Sequence, residues 1–448
     1  MDKHALRPFP QKSSHTSVPM LPSNIKTGEK IIALFKQILL NDLIIDTNAP
    51  AQKDKFRMVF RHCQQWDIED GSIDVSHITT SESHGYGMMI LAFMAGCEKA
   101  VNLLPGQWLC GCSRLQDYYD AMLRTVLEFP SVMGKNNRLF AWELFGYPAD
   151  KKNKTGYRDT NGIKTAPFTR DPNRGDCATD GDMDIIYSLL LADKQWGNGK
   201  YNYKQTALDM LDDLWKYCVH KEHKTLLLGD WVSGGKGALA SAVRVSDIIP
   251  AHLKVYADAD KNHDWRKVLD AIYNVIGDLC GSKKNQNGLL PDFAVWKDGK
   301  WKAPKKTILE GDDGAYSYNA CRVPWRLGSD YLLCGDTSIG ASSLFNLIIK
   351  PLDDFAKEFT KGDLDLLGAF NLDGSLLDGN DPETFASPFL VTAAASCSAN
   401  KANQDWVNKL WSWRGLDEYN GDNYGDYVKL LSMLTAAGHT WLPLYNTV

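Results

Sequence analysis

Residues 178–218 read ATDGDMDIIYSLLLADKQWGNGKYNYKQTALDMLDDLWKYC, and the two halves of this stretch differ in kind. After a polar opening with Asp180, Asp182 and Asp184, the first half is apolar nearly all round a helix. The second, from Tyr203, has one charged and one apolar face. A helix apolar on every side must be buried on most of them, whereas an amphipathic one lies half-exposed. The turn-rich GNGKYN between them makes the pair a hairpin with one buried and one half-exposed arm.

The same alternation runs outward in both directions. Twelve segments with apolar residues at helical spacing begin near Lys26, Glu82, Ser113, Thr179, Tyr203, Val245, Asp264, Tyr316, Thr337, Ser387, Ala402 and Asn423. The first, third and every second one after it are amphipathic, and the others are apolar nearly all round. Strand-like alternation is scarce. Six buried helices alternating with six half-exposed ones predict an all-α, (α/α)6 barrel of six inner and six outer helices. The expected organisation is an extended N-terminal segment, 1–25, and a single catalytic barrel domain, 26–448. In such a barrel all inner helices run the same way, so their polar openings line one end of one cavity.

Those openings carry acids. TTSESHGYGMMI, residues 79–90, sets Glu82 among hydroxyls and a Gly-Tyr-Gly step ahead of an apolar run. Taken singly, such an acid is a cap that favours the helix dipole; several converging on one mouth point to chemistry.

Composition narrows the classes. The chain has 448 residues, a net charge of -5 of mixed signs and 44% hydrophobic residues, which gives a large core and no basic stripe for nucleic acid. The apolar run IIALFKQILL is far short of the roughly 20 residues that span a bilayer, so no membrane partner is expected. The first 25 residues lack the apolar core of a secretory signal. Either the protein is secreted with its leader removed, or it is cytoplasmic. Cys97, Cys321 and Cys397 sit in apolar helical patterns as buried thiols, and Cys110 with Cys112 lacks a second ligand pair, so no metal is expected. No cofactor motif is present. Fourteen tryptophans are many; some are core, and their flat rings with polar edges also suit a cleft for a polysaccharide or oligosaccharide, and a monomer is expected.

SESHGYGMMILAFMAG (81–96) resembles the segment that carries the proton donor in glycoside hydrolase family 8, and ATDGDMDIIYSLLLADKQWG resembles that family's signature. LLLGDW (226–231), YNACRVPWR (318–326) and the closing SPF and LLSML elements follow in the family's order. The resemblance covers about Lys26 to Pro443 and implies an inverting endo-glycosidase on an (α/α)6 barrel. Ile186 and His84 depart from the usual residues without removing a reacting group. Asn319 stands where one subgroup has an Asp that activates water; an amide cannot take that proton. The subgroup with Asn, which holds chitosanases and β-1,3-1,4-glucanases, draws its base from a Glu in the preceding loop, here KKTILEGDDGAYSYNA, whose only Glu is Glu310.

Inverting hydrolysis needs an acid and a base with carboxyls roughly 6.5 to 9.5 Å apart. The resemblance implies Glu82 as acid and Glu310 as base, with Asp312 or Asp313 as alternatives for the base. It assigns Asp180 to the sugar ring at the cleavage subsite, where its charge also raises the proton affinity of Glu82. Asp182 is read as a cap or orienting group and Asp184 as structural. Arg322, one turn after Asn319, is expected near the water and base; the alternative for Arg322 and Arg326 is ion pairing within the barrel. Trp231 is read as a stacking platform or a core Trp, and Tyr86 and Tyr316 as cleft candidates. The implied activity is endo-β-1,4-glycanase, with chitosan favoured over mixed-linkage glucan or cellulose. A silent carbohydrate-binding barrel and a polysaccharide lyase are the competing readings.

Overall fold

The computed structural model describes residues 5–11, 24–52, 54–62, 77–100, 114–148, 156–170, 175–232, 239–281, 286–309 and 311–446. Among them are twelve α-helices: α1 (Asn24–Asn41), α2 (Ser81–Phe93), α3 (Leu115–Glu128), α4 (Thr179–Trp196), α5 (Tyr203–Cys218), α6 (Pro250–Ala259), α7 (Trp265–Cys280), α8 (Val323–Cys334), α9 (Lys350–Thr360), α10 (Pro382–Ala399), α11 (Gln404–Trp411) and α12 (Tyr424–Ala436). The even-numbered helices form a closed ring, with α2 on α4, α4 on α6, α6 on α8, α8 on α10, α10 on α12 and α12 back on α2. Outside it, α1 lies on α12, α3 on α2, α5 on α4, α7 on α6, and α9 and α11 on α10. The architecture is the (α/α)6 barrel, and the apolar-all-round segments are its inner ring because only there is every face covered.

Helix starts follow local chemistry. Thr80 caps α2 by accepting the Ser83 N–H, and Asn202 caps α5 by accepting that of Gln205. The helix α10 starts at Pro382, five residues ahead of the expected Ser387, because Asp381 accepts the Thr384 N–H and Pro382 fills the first helical position. Pro388 lies inside this helix rather than opening it. The expected starts near Val245 and Tyr316 fall on single 3-10 turns and their approaches, Val245–Asp247 and Ala320–Arg322, which precede α6 and α8. Near Thr337 the chain forms a two-stranded hairpin, Ser338–Ile339 with Ser342–Ser343, before α9.

Short strands occupy the loops. His77–Thr80 pairs antiparallel with Glu143–Phe145 and leads directly into α2. Ala242–Arg244 pairs with Phe293–Lys297, which pairs with Lys300–Lys302. A four-stranded sheet in the order Met58–Phe60, Leu43–Asp46, Ile163–Ala166, Arg158–Thr160 covers one flank. Of the N-terminal segment, the described residues 5–11 lie across the far end of the barrel: Phe9 N–H donates to Ala95 O at 2.7 Å and Arg7 N–H to Gln195 Oε1 at 2.7 Å.

The glycines near the acid-bearing helix starts have a packing role. A Cβ on Gly85 would stand 2.8 Å from Asp184 Cβ, and one on Gly181 would stand 2.2 Å from Ser81 Oγ. Each glycine lets the backbones of α2 and α4 approach where Glu82 and Asp180 begin those helices.

Candidate active site

A cleft of about 520 Å³ opens at the inner-helix starts, and all six contribute to it. Thr80 and Glu82 come from the start of α2, Ala178 and Asp180 from α4, Arg244 from the approach to α6, Tyr318, Asn319 and Arg322 from that to α8, Asp381 from α10, and Asp422 to Tyr424 from α12. The convergence expected from parallel inner helices is what the structure has.

Arg322 is the centre of the arrangement. Its Nη1 donates to Glu82 Oε1 and, at 2.9 Å, to Asp180 Oδ2. Its Nη2 donates to Ser246 Oγ at 2.7 Å and Asn319 Oδ1 at 3.0 Å, and its Nε to Asn319 O at 3.2 Å. Tyr86, fully buried behind Glu82, donates its hydroxyl to Glu82 Oε1 at 2.9 Å. One guanidinium therefore spans two carboxylates, and burial lowers its own pKa to about 10. Burial raises the Asp180 carboxyl, with Arg244, 3.9 Å away, opposing the rise. Asp247, raised well above the carboxylate range by burial and by Asp180, adds a further group that resists ionisation. Burial and the neighbouring carboxylates therefore work against the charge on Asp180, while the cations around it favour that charge.

The other signature acids do different work. Asp182 is fully buried, accepts the Phe140 N–H at 2.8 Å, and is pushed up by that burial. Asp184 pairs with Arg326 at 2.9 and 2.6 Å and with His252 at 2.9 Å. Burial opposes its ionisation, but Arg326 and His252 outweigh it and hold the carboxyl below its usual range. Thus Arg326 pairs inside the barrel, and Arg322 pairs with the acids of the cleft.

Asn319 earns its amide by geometry. Its Oδ1 accepts from Arg322 while its Nδ2 faces Asp292 Oδ2 at 3.4 Å, so it joins a cation to a carboxyl, which needs both an acceptor and a donor. Asp292 also accepts the N–H groups of Ser317 at 2.9 Å and Ala320 at 2.7 Å, and burial raises it to about 7. It holds the turn that presents Asn319 and Arg322, and no sequence motif marked it.

Of the three expected cleft aromatics, Tyr86 is buried behind Glu82 without lining the cleft, and the other two lie elsewhere. Tyr316 is fully buried against Phe370, Phe385 and Phe389. Trp231 packs, half-buried, on the cluster of Leu227, Leu228, Val232 and Phe293 and does not line the cleft around Glu82. The aromatic faces in the cleft are Trp142, Tyr318 and Tyr424, with Trp142 and Tyr318 at 40% and 45% exposure. Tyr318 was within reach of the sequence, since it directly precedes Asn319 in the quoted motif. Trp142 was not: it is set by backbone bonds from Ser81 N to Trp142 O and from Trp142 N to Asp176 O, both 2.6 Å, which stitch it between the starts of α2 and α4.

Glu310 lies outside the described residues, as do Cys110 and Cys112. Of its alternatives, Asp313 is buried and its carboxylate accepts the N–H groups of Ile308 and Leu309 at 2.5 and 2.8 Å, so it ties the loop together; Asp312 is exposed. Cys97, Cys321 and Cys397 are buried. Among the described residues, no helix is long and apolar enough to cross a membrane.

The family profile described as Glycosyl hydrolases family 8 matches residues 164–341. A protein named Beta-glucanase from Niallia circulans is 29% identical over 437 residues, covering 97% of this chain and 91% of that one. An Endoglucanase from Bacillus sp. (strain KSM-330) is 32% identical over 368 residues, 82% of this chain and 68% of its own. The solved apo structure of a Beta-1,3-1,4-glucanase from Paenibacillus sp. X4 superposes with a TM-score of 0.76 at 28% identity, covering 97% and 99% of the two chains.

Proposed function

Because the chain belongs to glycoside hydrolase family 8 and is a glycoside hydrolase, we propose that it is an endo-acting, inverting β-glucanase that cuts mixed-linkage β-1,3-1,4-glucan or β-1,4-glucan. In this reading Glu82 protonates the leaving oxygen, Asp180 holds the sugar ring at the point of cleavage, and Glu310 activates the water. The observation that carries it is the Glu82–Arg322–Asp180 bridge at the floor of a cleft walled by all six inner-helix starts. The bridge fixes Glu82 and Asp180 relative to one another on one side of the cleft, the placement that a general acid and a ring-holding carboxylate require. The commitment of Asp313 to the loop's own N–H groups supports Glu310 as the base. Trp142, Tyr318 and Tyr424 are the stacking faces for pyranose rings.

Glucan is preferred to chitosan because the relatives reported above are named for glucans. The acids Asp381 and Asp422 in the cleft are the feature that favours the cationic polymer. Incubating the protein with barley β-glucan, carboxymethyl cellulose, chitosan and xylan, with the anomeric form of fresh products followed by NMR, tests the proposal. Inverted anomers from barley β-glucan are expected. Hydrolysis of chitosan alone overturns the substrate, retained anomers overturn the mechanism, and unsaturated uronate products indicate a lyase.

A further inference from the structure

A second groove, of about 630 Å³, runs along the outer wall beside α7, away from the floor that holds Glu82. Its prominent side chain is Trp296, exposed at 38%. The ring is held in place, with Trp301 5.3 Å away edge-on and the His223 ring at 4.7 Å. Asn274, Asp278 and Ser342 line the groove beside it, and Asp278 Oδ2 accepts the Trp301 N–H at 2.9 Å, which fixes the carboxylate against the hairpin. Small residues, Gly277, Gly340 and Ala341, line it further, together with the apolar Ala271, Ile339 and Leu347.

A fixed, exposed indole face flanked by an amide, a hydroxyl and one carboxylate matches a sugar ring, which has apolar C–H faces and a rim of hydroxyls. The described lining contains no Lys or Arg, so a polyanion finds no counter-charge there. The groove is joined to the cleft by one sheet: Arg244 pairs with Phe293, and Trp296 lies three residues further along that strand, about 10 Å at the usual rise.

We propose that this groove is a second glycan-binding site that holds a neutral β-glucan chain outside the cleavage cleft. A polymer can engage groove and cleft together, and the linkage raises the effective concentration of the cleavable segment. An oligosaccharide short enough to fill only the cleft gains nothing. The choice of glucan rests on the proposed function.

The test uses the full chain carrying Glu82→Gln, so that ligands bind uncut, with and without Trp296→Ala. Migration in gels cast with barley β-glucan reads polymer binding, and calorimetry with a mixed-linkage tetrasaccharide reads the cleft. Trp296→Ala is expected to weaken polymer retention about tenfold, as loss of a central aromatic anchor does, and to leave tetrasaccharide affinity unchanged. Asn274→Ala, at an exposed helix position, is expected to weaken polymer retention in the same direction. Unchanged polymer retention in both variants overturns the groove, and so does equal weakening of polymer and tetrasaccharide, since the two sites would then be one. Retention in chitosan gels with none in glucan overturns the ligand class here and in the proposed function together, whereas glucan retention indifferent to both substitutions overturns the groove alone.

Discussion

Replacing Gly85 with Ala probes the contact that sets the spacing of Glu82 and Asp180. The added Cβ would start 2.8 Å from Asp184 Cβ and 3.0 Å from Gly181 O. The second contact is backbone, so no rotamer change relieves it. To reach the 3.4 Å of ordinary contact, α2 and α4 must separate by about 0.6 Å. Overpacking of this kind costs about 1–3 kcal/mol, and the gain in helix propensity from Gly to Ala returns about 1. The net loss is about 0–2 kcal/mol, which for a chain of 448 residues lowers Tm by only about 2 °C at most. Catalysis is more sensitive, because a misplacement of about 1 Å can cost about a hundredfold in rate. Reducing-sugar release from barley β-glucan should therefore fall about 10–100-fold while the melting temperature barely moves. Gly28→Ala is the control: nothing lies within 4 Å of its Cβ, on α1, so it should raise stability by about 0.5–1 kcal/mol and leave activity alone. A Gly85→Ala protein with full kcat would refute the claim that this close approach sets the catalytic spacing.

Three further outcomes are expected. Glu82→Gln keeps the shape but cannot donate a proton, so kcat should fall about 10²–10⁴-fold with KM little changed; near-normal turnover would remove Glu82 from the acid role. Asp292→Asn keeps the acceptor for Ser317 and Ala320 but does not titrate. The Asp292 carboxyl is raised to about 7 in the fold against about 4 in an unfolded chain, so its stabilising effect is full below pH 4 and lost as pH rises toward 7. The melting temperature of the variant relative to the parent should thus rise between pH 4 and 7, and a constant difference would show that Asp292 does not titrate there. Trp142→Ala removes an exposed cleft face and should raise KM for glucan severalfold with a smaller effect on kcat; an unchanged KM would exclude it as a sugar platform.

Much of this barrel was legible in the order of the residues. Whether a helix is apolar on one face or all round is a property of its own 3.6-residue period, and that alternation alone separates the inner ring from the outer. Parallel inner helices then bring Glu82 and Asp180 to one mouth with no knowledge of the contacts. The helix starts that moved, at Pro382 and at the 3-10 turns before α6 and α8, did so because capping side chains and turn residues compete over a few positions.

What the linear order could not contain is direction in the loops and distance between helices. Tyr316 and Tyr318 are two residues apart in one motif, yet the first packs in the core and the second lines the cleft, because the turn held by Asp292 decides which side faces out. Trp231 read as a platform or a core Trp and packs against a side cluster, while Trp142, set by backbone bonds to distant segments, lines the cleft. Arg322 was expected near the water and base, with ion pairing to acids as the alternative; the structure shows its pairs with Glu82 and Asp180, which depend on how α8 sits against α2 and α4. The sequence alone determined the helix pattern and the convergence of Glu82 and Asp180 at inner-helix starts, because both follow from near-neighbour periodicity. Only the tertiary structure decided which side chains meet across the cleft, because those contacts join residues far apart in the chain through packing that no local period encodes.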